Sequence, residues 1–232
     1  MATGRGALRR VYVLLLTGML ADVGCGVLMS PDLRVRPSSV PAAEAQVTSR
    51  LPSVRLSATE ALRLDVDGEV QRQTRRGRGG ECLQVVETAL SPAECWERIA
   101  DVANWSGLMR GVKASRVVEE RRDGVVRASF SVTKLRLPCA LLLKEDTCAP
   151  VASDVRVLDF SLDPESPRVA VNRCSGRWTV ETVKGGLTRV SLAAEIQATR
   201  FVPETIVDYV AARALTRATA WVPRSKGAGA SD

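Results

Sequence analysis

Short runs of alternating polar and apolar residues dominate the chain between residues 82 and 199. Runs of this kind predict β-strands that bury one face. Seven of them follow one another, at 82–90, 112–121, 124–133, 136–145, 154–162, 172–183 and 187–199. Asp123-Gly124 and Gly185-Gly186 separate neighbouring runs and are typical of hairpin turns. The pattern therefore predicts a meander of seven antiparallel strands.

Helix signals lie on both sides of this meander. After the first strand, Ser91, Pro92 and Glu94 occupy the N-cap, N1 and N3 positions of a helix that ends near Ala100, and a second short helix is expected at about 105–109. A longer helix is predicted over 203–221. Its apolar residues recur at helical spacing, and they are Ile206, Val207, Val210, Ala211, Ala214, Leu215 and Ala218.

This order of elements predicts an α+β fold. A sheet of seven antiparallel strands curves strongly, and a long C-terminal helix with an Ala-rich apolar face can lie in its concave side. A sheet wrapped on one helix does not close tightly, so a cavity between helix and sheet is expected.

Composition limits the chemistry. The chain has no histidine, which removes Ser-His and Cys-His catalysis and histidine metal sites. None of the six cysteines forms a CxxC pair, and we interpret them as small buried hydrophobes rather than a disulfide framework. The formal net charge is +7, and its excess lies mainly before residue 82, which favours targeting or a membrane surface over nucleic acid.

The N-terminal third is organised differently from the strand region. Residues 1–29 place three arginines before an apolar run, as in a targeting segment, and predict a secretory route or an organelle (mitochondrion or plastid). Residues 30–81 read as a disordered spacer, with a short hairpin or an edge strand at 61–74 around Asp67-Gly68. The arginine-rich loop 75–80 is either a solvated turn or a contact with anionic lipid. The regular domain spans 82–222, and 223–232 are predicted to be a disordered tail.

An ordered set of residues gives the domain a family resemblance. The set is Ser91-Pro92, Trp96, Asp101, Trp105, Gly111-Val112, Gly176-x-Trp178 and Phe201-Val202-Pro203. On these residues the chain resembles the START-like (SRPBCC, helix-grip) superfamily, most closely the polyketide cyclase/dehydrase group and its coenzyme Q-binding members. The resemblance covers roughly residues 82–222. It implies an internal cavity for a lipid or polyprenyl quinone, with two helices near its mouth.

Several side chains can be assigned within such a domain. Asp101 is expected to cap the turn after the first helix rather than to catalyse. Strand alternation places the apolar side chains of the later strands toward the helix. The expected ligand-binding residues are Trp105, Phe130, Trp178, Leu192, Val207 and Ala211. A filled core without a ligand is the alternative for the same residues.

The resulting functional hypothesis is a binding protein. It would hold a hydrophobic small molecule such as a lipid or quinone as a carrier or chaperone, with peripheral membrane contact and no nucleic-acid partner. No catalytic residue, metal or cofactor is assigned. The alternative is an enzyme of the polyketide cyclase or aromatase type.

The predicted spacer can be tested by limited proteolysis. Residues 30–56 carry too few apolar side chains to offset the entropy of ordering, so a protease should cut there first. Mass spectrometry of the fragments should show a product that contains the core 82–222 intact. Earlier cleavage inside that core would contradict the assignment.

Overall fold

The computed structural model describes residues 54–132, 137–146, 155–202 and 213–225. Within those ranges lie eight strands: β1 (Glu69–Arg76), β2 (Gly79–Thr88), β3 (Val112–Glu120), β4 (Val125–Val132), β5 (Leu137–Glu145), β6 (Arg156–Leu162), β7 (Val171–Thr182) and β8 (Thr188–Ala198). The helices there are α1 (Ala58–Asp67), α2 (Pro92–Ala100), α3 (Trp105–Leu108) and α4 (residues 213–218). Two single 3₁₀ turns are Val102–Asn104 and Lys184–Gly186.

The strands form one antiparallel, curved sheet in the order β1-β2-β8-β7-β6-β5-β4-β3. The α+β class and the meander of the later strands are confirmed. The predicted count of seven strands is too low for the described residues, because β1 pairs with β2 along its whole length, from Glu69 opposite Val86 to Arg76 opposite Gly79. The hairpin signals predicted the turns correctly, since Gly124, Gly185 and Gly186 all have positive φ.

The segment before Cys82 differs most from the prediction. The 61–74 hairpin is wrong, because Ala58–Asp67 is a helix that a capping box begins, with the Ser57 and Glu60 side chains bonding each other's backbone N–H. Gly68 ends this helix as its C-cap, in the left-handed conformation with φ 69°. A tight hairpin turn needs the same conformation, which is why Asp67-Gly68 suggested a turn. The alternative of an edge strand is confirmed for Glu69–Arg76. From residue 54 onward, the predicted disordered spacer is therefore wrong.

Helix α1 covers the outer face of the sheet at its β1 end. Leu64 is its buried residue, and it packs with Val70, Leu83 and Val85 in a second, smaller core. This small core explains why the helix and the edge strand belong to the same folded unit as the meander.

The predicted helix after β2 is present with its expected cap. The Ser91 hydroxyl accepts a hydrogen bond from the N–H of Glu94, whose carboxylate accepts one from the N–H of Ser91, and Pro92 opens the helix. The predicted capping role of Asp101 is wrong. Its exposed side chain makes no capping hydrogen bond, and its backbone carbonyl accepts from the N–H of Asn104 instead.

The last helix is described only in part. Residues 203–212, which include the start of the predicted 203–221 helix, lie outside the described residues, whereas 213–218 are helical. Leu215 and Val222 are buried in the main core. Beyond the helix, the N–H of Ser225 donates to the carbonyl of Glu87 at 2.9 Å. The first residues of the predicted disordered tail are thus packed against the sheet.

Two further predictions concern regions that the described residues do not cover. The targeting segment at 1–29 and the spacer up to residue 53 lie outside them. Among the helices that the structure describes, none has the length and apolarity needed to cross a membrane.

Gly176 in β7 makes the closest approach in the centre of the sheet. A Cβ atom at this position would overlap the ring of Phe160 and would lie 2.6 Å from the carbonyl oxygen of Ala193. The backbone oxygen cannot move away as a flexible side chain could. This crowding explains why glycine occupies the first position of the Gly176-x-Trp178 pair.

We therefore expect Gly176→Ala to lower the free energy of unfolding by about 1–3 kcal/mol through overpacking. Urea denaturation followed by circular dichroism measures the change. Gly107→Ala is the matched control, because its Cβ would meet only the Asn104 Oδ1 atom, at 3.8 Å. A Gly176→Ala protein as stable as the control would contradict this packing argument.

Candidate ligand-binding site

The inner face of the sheet, on which the main core lies, is apolar across neighbouring strands. Leu192 of β8 pairs with Trp178 of β7, and Trp178 pairs with Leu158 of β6. Residues directly opposite each other in antiparallel strands share a face. All three are buried members of the main core. The expected alternation of the later strands is therefore confirmed.

Helix α3 brings a second aromatic group to this face. The indole of Trp105 stacks on the ring of Phe130 in β4, with 5.3 Å between centroids and 23° between the planes. Its Nε1 donates to the carbonyl of Ile99 at 3.0 Å, which fixes the ring orientation. Ser115 of β3 holds the same region, since its hydroxyl donates to the carbonyl of Ala103 at 2.7 Å and accepts from the N–H of Ser106.

Two arginines lie over the remaining tryptophans of the described residues. The guanidinium of Arg156 is 4.2 Å from the ring centroid of the buried Trp96, and that of Arg98 is 5.7 Å from the ring of Trp221. Such cation–π contacts cover an aromatic ring while keeping the charge in contact with solvent. Trp96 is thus a core residue with a charged cover.

Four of the six expected ligand-binding residues meet in one buried cluster. Trp105, Phe130, Trp178 and Leu192 are each at most 5% exposed and all belong to the main core. Val207 and Ala211 lie outside the described residues. The structure thus brings the four together in one apolar core, and their role toward a ligand stays a prediction.

A polar group on the inner face was missed from the sequence. Gln84 is 1% exposed and opposes Leu192, so it shares the face with the aromatic row. Its Nε2 donates to Glu69 at 3.2 Å, but its Oε1 has no hydrogen-bond partner. Glu69 in turn pairs with Arg224 at 2.8 Å. Alternation with Cys82 and Val86 would have indicated the orientation of Gln84.

The charged side chains of the central strands lie on the outer face. Arg189 pairs with Glu87 at 2.7 Å, and Arg177 pairs with Asp159 at the same distance. Arg127 binds Asp163 and Glu165. These ion pairs lie on the opposite side of the sheet from the apolar inner row and take no part in the candidate site.

The comparisons with known proteins agree with this geometry. The family described as "Polyketide cyclase / dehydrase and lipid transport" matches residues 88–220. The chain belongs to this family. It is a member of the START-like superfamily, as the sequence resemblance predicted. None of the curated proteins matches the sequence closely enough to count as a relative.

Two solved structures show the same fold at low sequence identity. The STAR-related lipid transfer protein of Xanthomonas axonopodis is 10% identical with a TM-score of 0.53, and the match covers 67% of this chain and 93% of that chain. The lipid transfer and protein localization domain of human StarD13 is 12% identical with a TM-score of 0.50, over 66% and 80% of the two chains. At these identities the likeness shows the fold alone.

The thiols near the site are poorly suited to nucleophilic chemistry. All four cysteines in the described parts of the chain are free. Burial raises the pKa of Cys174 to about 12 and the pKa values of Cys95 and Cys139 to about 11, and it raises the pKa of Cys82 as well. They are therefore protonated at neutral pH, as expected for small hydrophobes. No group of metal-binding side chains occurs in the described ranges.

We expect these four thiols to resist a thiol reagent at pH 8 in the folded protein, because the thiolate is the reactive form. Reaction should become complete in urea. The experiment uses the Cys25→Ser/Cys148→Ser variant, since those two cysteines lie outside the described residues. A stoichiometric fast phase in the folded variant would show an exposed thiolate and contradict the pKa directions.

Proposed function

We propose that this chain binds a hydrophobic small molecule, a lipid or a polyprenyl quinone, against the inner face of its sheet. It would carry or shield that molecule beside a membrane rather than transform it. The observation that carries the proposal is the apolar inner face of the sheet, on which Trp105, Phe130, Trp178 and Leu192 belong to one buried core. Val207 and Ala211 of the predicted C-terminal helix are its proposed opposite wall.

The proposal has an energetic basis. Each CH₂ group of a ligand that leaves water for such a surface gains about 0.8 kcal/mol, so a prenyl or acyl chain can supply most of the binding free energy. The stacked aromatic pair Trp105–Phe130 belongs to the same core, and we propose that a ring head group packs beside it. We expect a dissociation constant of about micromolar order for a ligand of this size.

The sequence that precedes the domain supports a function beside a membrane. The N-terminal residues 1–29 have the order of a targeting segment, and we propose a secretory or organellar location on that basis. The basic excess before the domain favours contact with anionic surfaces.

Polyketide cyclisation is the second candidate, and one observation favours it. An enzyme of this type would need polar groups on the inner face, and Gln84 with its unpartnered Oε1 is one, beside the Glu69 carboxylate. The family description itself includes both cyclases and lipid transport. Family membership therefore does not choose between the two functions.

The binding proposal can be tested with two buried leucines on opposite faces of the sheet. Leu192 is 4% exposed on the inner face, and Leu142 is 1% exposed and pairs with the outward Arg127. Replacing either with alanine should lower the free energy of unfolding by about 2–5 kcal/mol. Only Leu192→Ala should also change the affinity for a fluorescent fatty acid or a short-chain ubiquinone, measured by fluorescence titration of protein that circular dichroism shows to be folded.

Each outcome of this titration is informative. Equal effects of the two substitutions would mean that the inner face does not contact the ligand. A wild-type protein that binds neither probe would contradict the carrier function. Conversion of a poly-β-ketone probe to an aromatic product, lost on Gln84→Met, would favour the cyclase.

A further inference from the structure

Two half-exposed apolar side chains occur in adjoining segments, Val169 just before β7 and Phe201 just after β8. Phe201 is 52% exposed and Val169 is 50% exposed. The Thr199 N–H donates to the carbonyl of Ala170 at 3.0 Å, and its hydroxyl donates to the carbonyl of Val169 at 3.2 Å. These bonds place the two segments side by side. Single exposed hydrophobes are common, so their surroundings decide what they mean.

Six arginines occur in the segments that adjoin this pair. Arg75, Arg76 and Arg78 lie at the turn between β1 and β2, which meets the end of β8 because the N–H of Ala198 donates to the carbonyl of Arg78 at 2.9 Å. Arg200 precedes Phe201 in sequence. Arg168 bonds the carbonyl of Asn172, and Arg173 opposes Gln197 of β8. We call these six arginines with Val169 and Phe201 the arginine–phenylalanine surface.

Fewer carboxylates than arginines lie near this surface. Glu81 pairs with Arg76 at 3.2 Å and faces Glu195 across the strands. The surface therefore has a net positive charge. The exposed apolar residues of α1 differ in this respect: Leu62 and Val66 are 66% and 75% exposed, but their helix carries three carboxylates, Glu60, Asp65 and Asp67, against one arginine, Arg63.

The turn that presents Phe201 is anchored. The Nη2 group of Arg78 donates to the carbonyls of Thr199 at 3.2 Å, Arg200 at 2.9 Å and Val202. The guanidinium of Arg200 lies 5.0 Å from the Phe201 ring centroid. Three hydrogen bonds from Arg78 therefore fix the backbone around Phe201, and the Arg200 guanidinium contacts its ring. The exposed position of Phe201 is thus a defined one.

We propose that the arginine–phenylalanine surface docks the domain on an anionic lipid bilayer. Guanidinium groups bind lipid phosphates, while an aromatic and an aliphatic side chain enter the interface between head groups and acyl chains. A nucleic acid would use the same charges but would not need the exposed Val169. The inference rests on the proposed function, because docking would bring a carrier to the source of its ligand.

The test is co-sedimentation of the full chain with vesicles of phosphatidylcholine containing about one quarter phosphatidylserine. Phe201→Ser should lower the partition coefficient about tenfold, and Val169→Ser about threefold. The double variant Arg76→Gln/Arg200→Gln should lower it by about fivefold for each arginine removed. Raising the salt from about 0.1 M to about 1 M should weaken binding, since it shortens the screening length from about 10 Å to about 3 Å.

Matched controls lie elsewhere on the sheet. Val118 is 48% exposed on β3, so Val118→Ser repeats the change of Val169 outside the surface. Arg116→Gln/Arg122→Gln removes the same charge from the exposed residues of β3 and its turn. Both controls should bind as the wild type does. Equal losses in control and test variants, or equal binding of the wild type to pure phosphatidylcholine, would overturn the proposal.

A ligand titration in the absence of vesicles separates this proposal from the proposed function. The Phe201→Ser protein should bind the fluorescent fatty acid as tightly as the wild type, because Phe201 is not part of the main core. Selective vesicle binding by a protein that binds no small ligand would leave the docking surface standing and would contradict the carrier function.

Discussion

The chemical difference between the two faces of the sheet is the constraint on which the rest of the structure depends. Successive side chains of a strand point to opposite faces of the sheet. Each strand must therefore place apolar side chains on the core face and side chains suited to a different environment on the other face. In β7 and β8, Trp178 and Leu192 meet inward while Arg177 and Arg189 bind carboxylates outward. A slip of one residue would bury these ion pairs, which fixes the register of the sheet.

The same alternation explains which parts of the fold could be predicted. The later strands and their glycine turns were predictable, because period-two burial and positive φ are local properties. Helix α1 was not, because Asp67-Gly68 is a signal both for a hairpin turn and for a helix C-cap. The choice depends on Leu64, which is buried only because β1 and β2 supply the other side of the small core.

The candidate site was predictable to the extent that it follows from strand faces. Phe130, Trp178 and Leu192 come directly from alternation, and Trp105 from its place after α2. Gln84 follows the same rule, but it was overlooked among the apolar residues of its strand. The unpartnered state of its Oε1 could not be read from the sequence, since it depends on the contact of Nε2 with Glu69 across the β1–β2 pairing, and the sequence leaves 61–74 open between a hairpin and an edge strand.

The position of Gln84 bears on how a member of this family could change from carrying to transforming a ligand. A buried carbonyl without a partner costs about 1–3 kcal/mol relative to a satisfied one. A ligand hydroxyl that reached Oε1 would recover part of this free energy, whereas a purely apolar chain would not. The group therefore favours a hydrophobe that carries a hydrogen-bond donor over an alkane of the same size. Because Gln84 opposes Leu192 in the same row, an apolar wall and a polar contact lie about one strand spacing apart. A binding site and a reactive site could thus share one row of side chains.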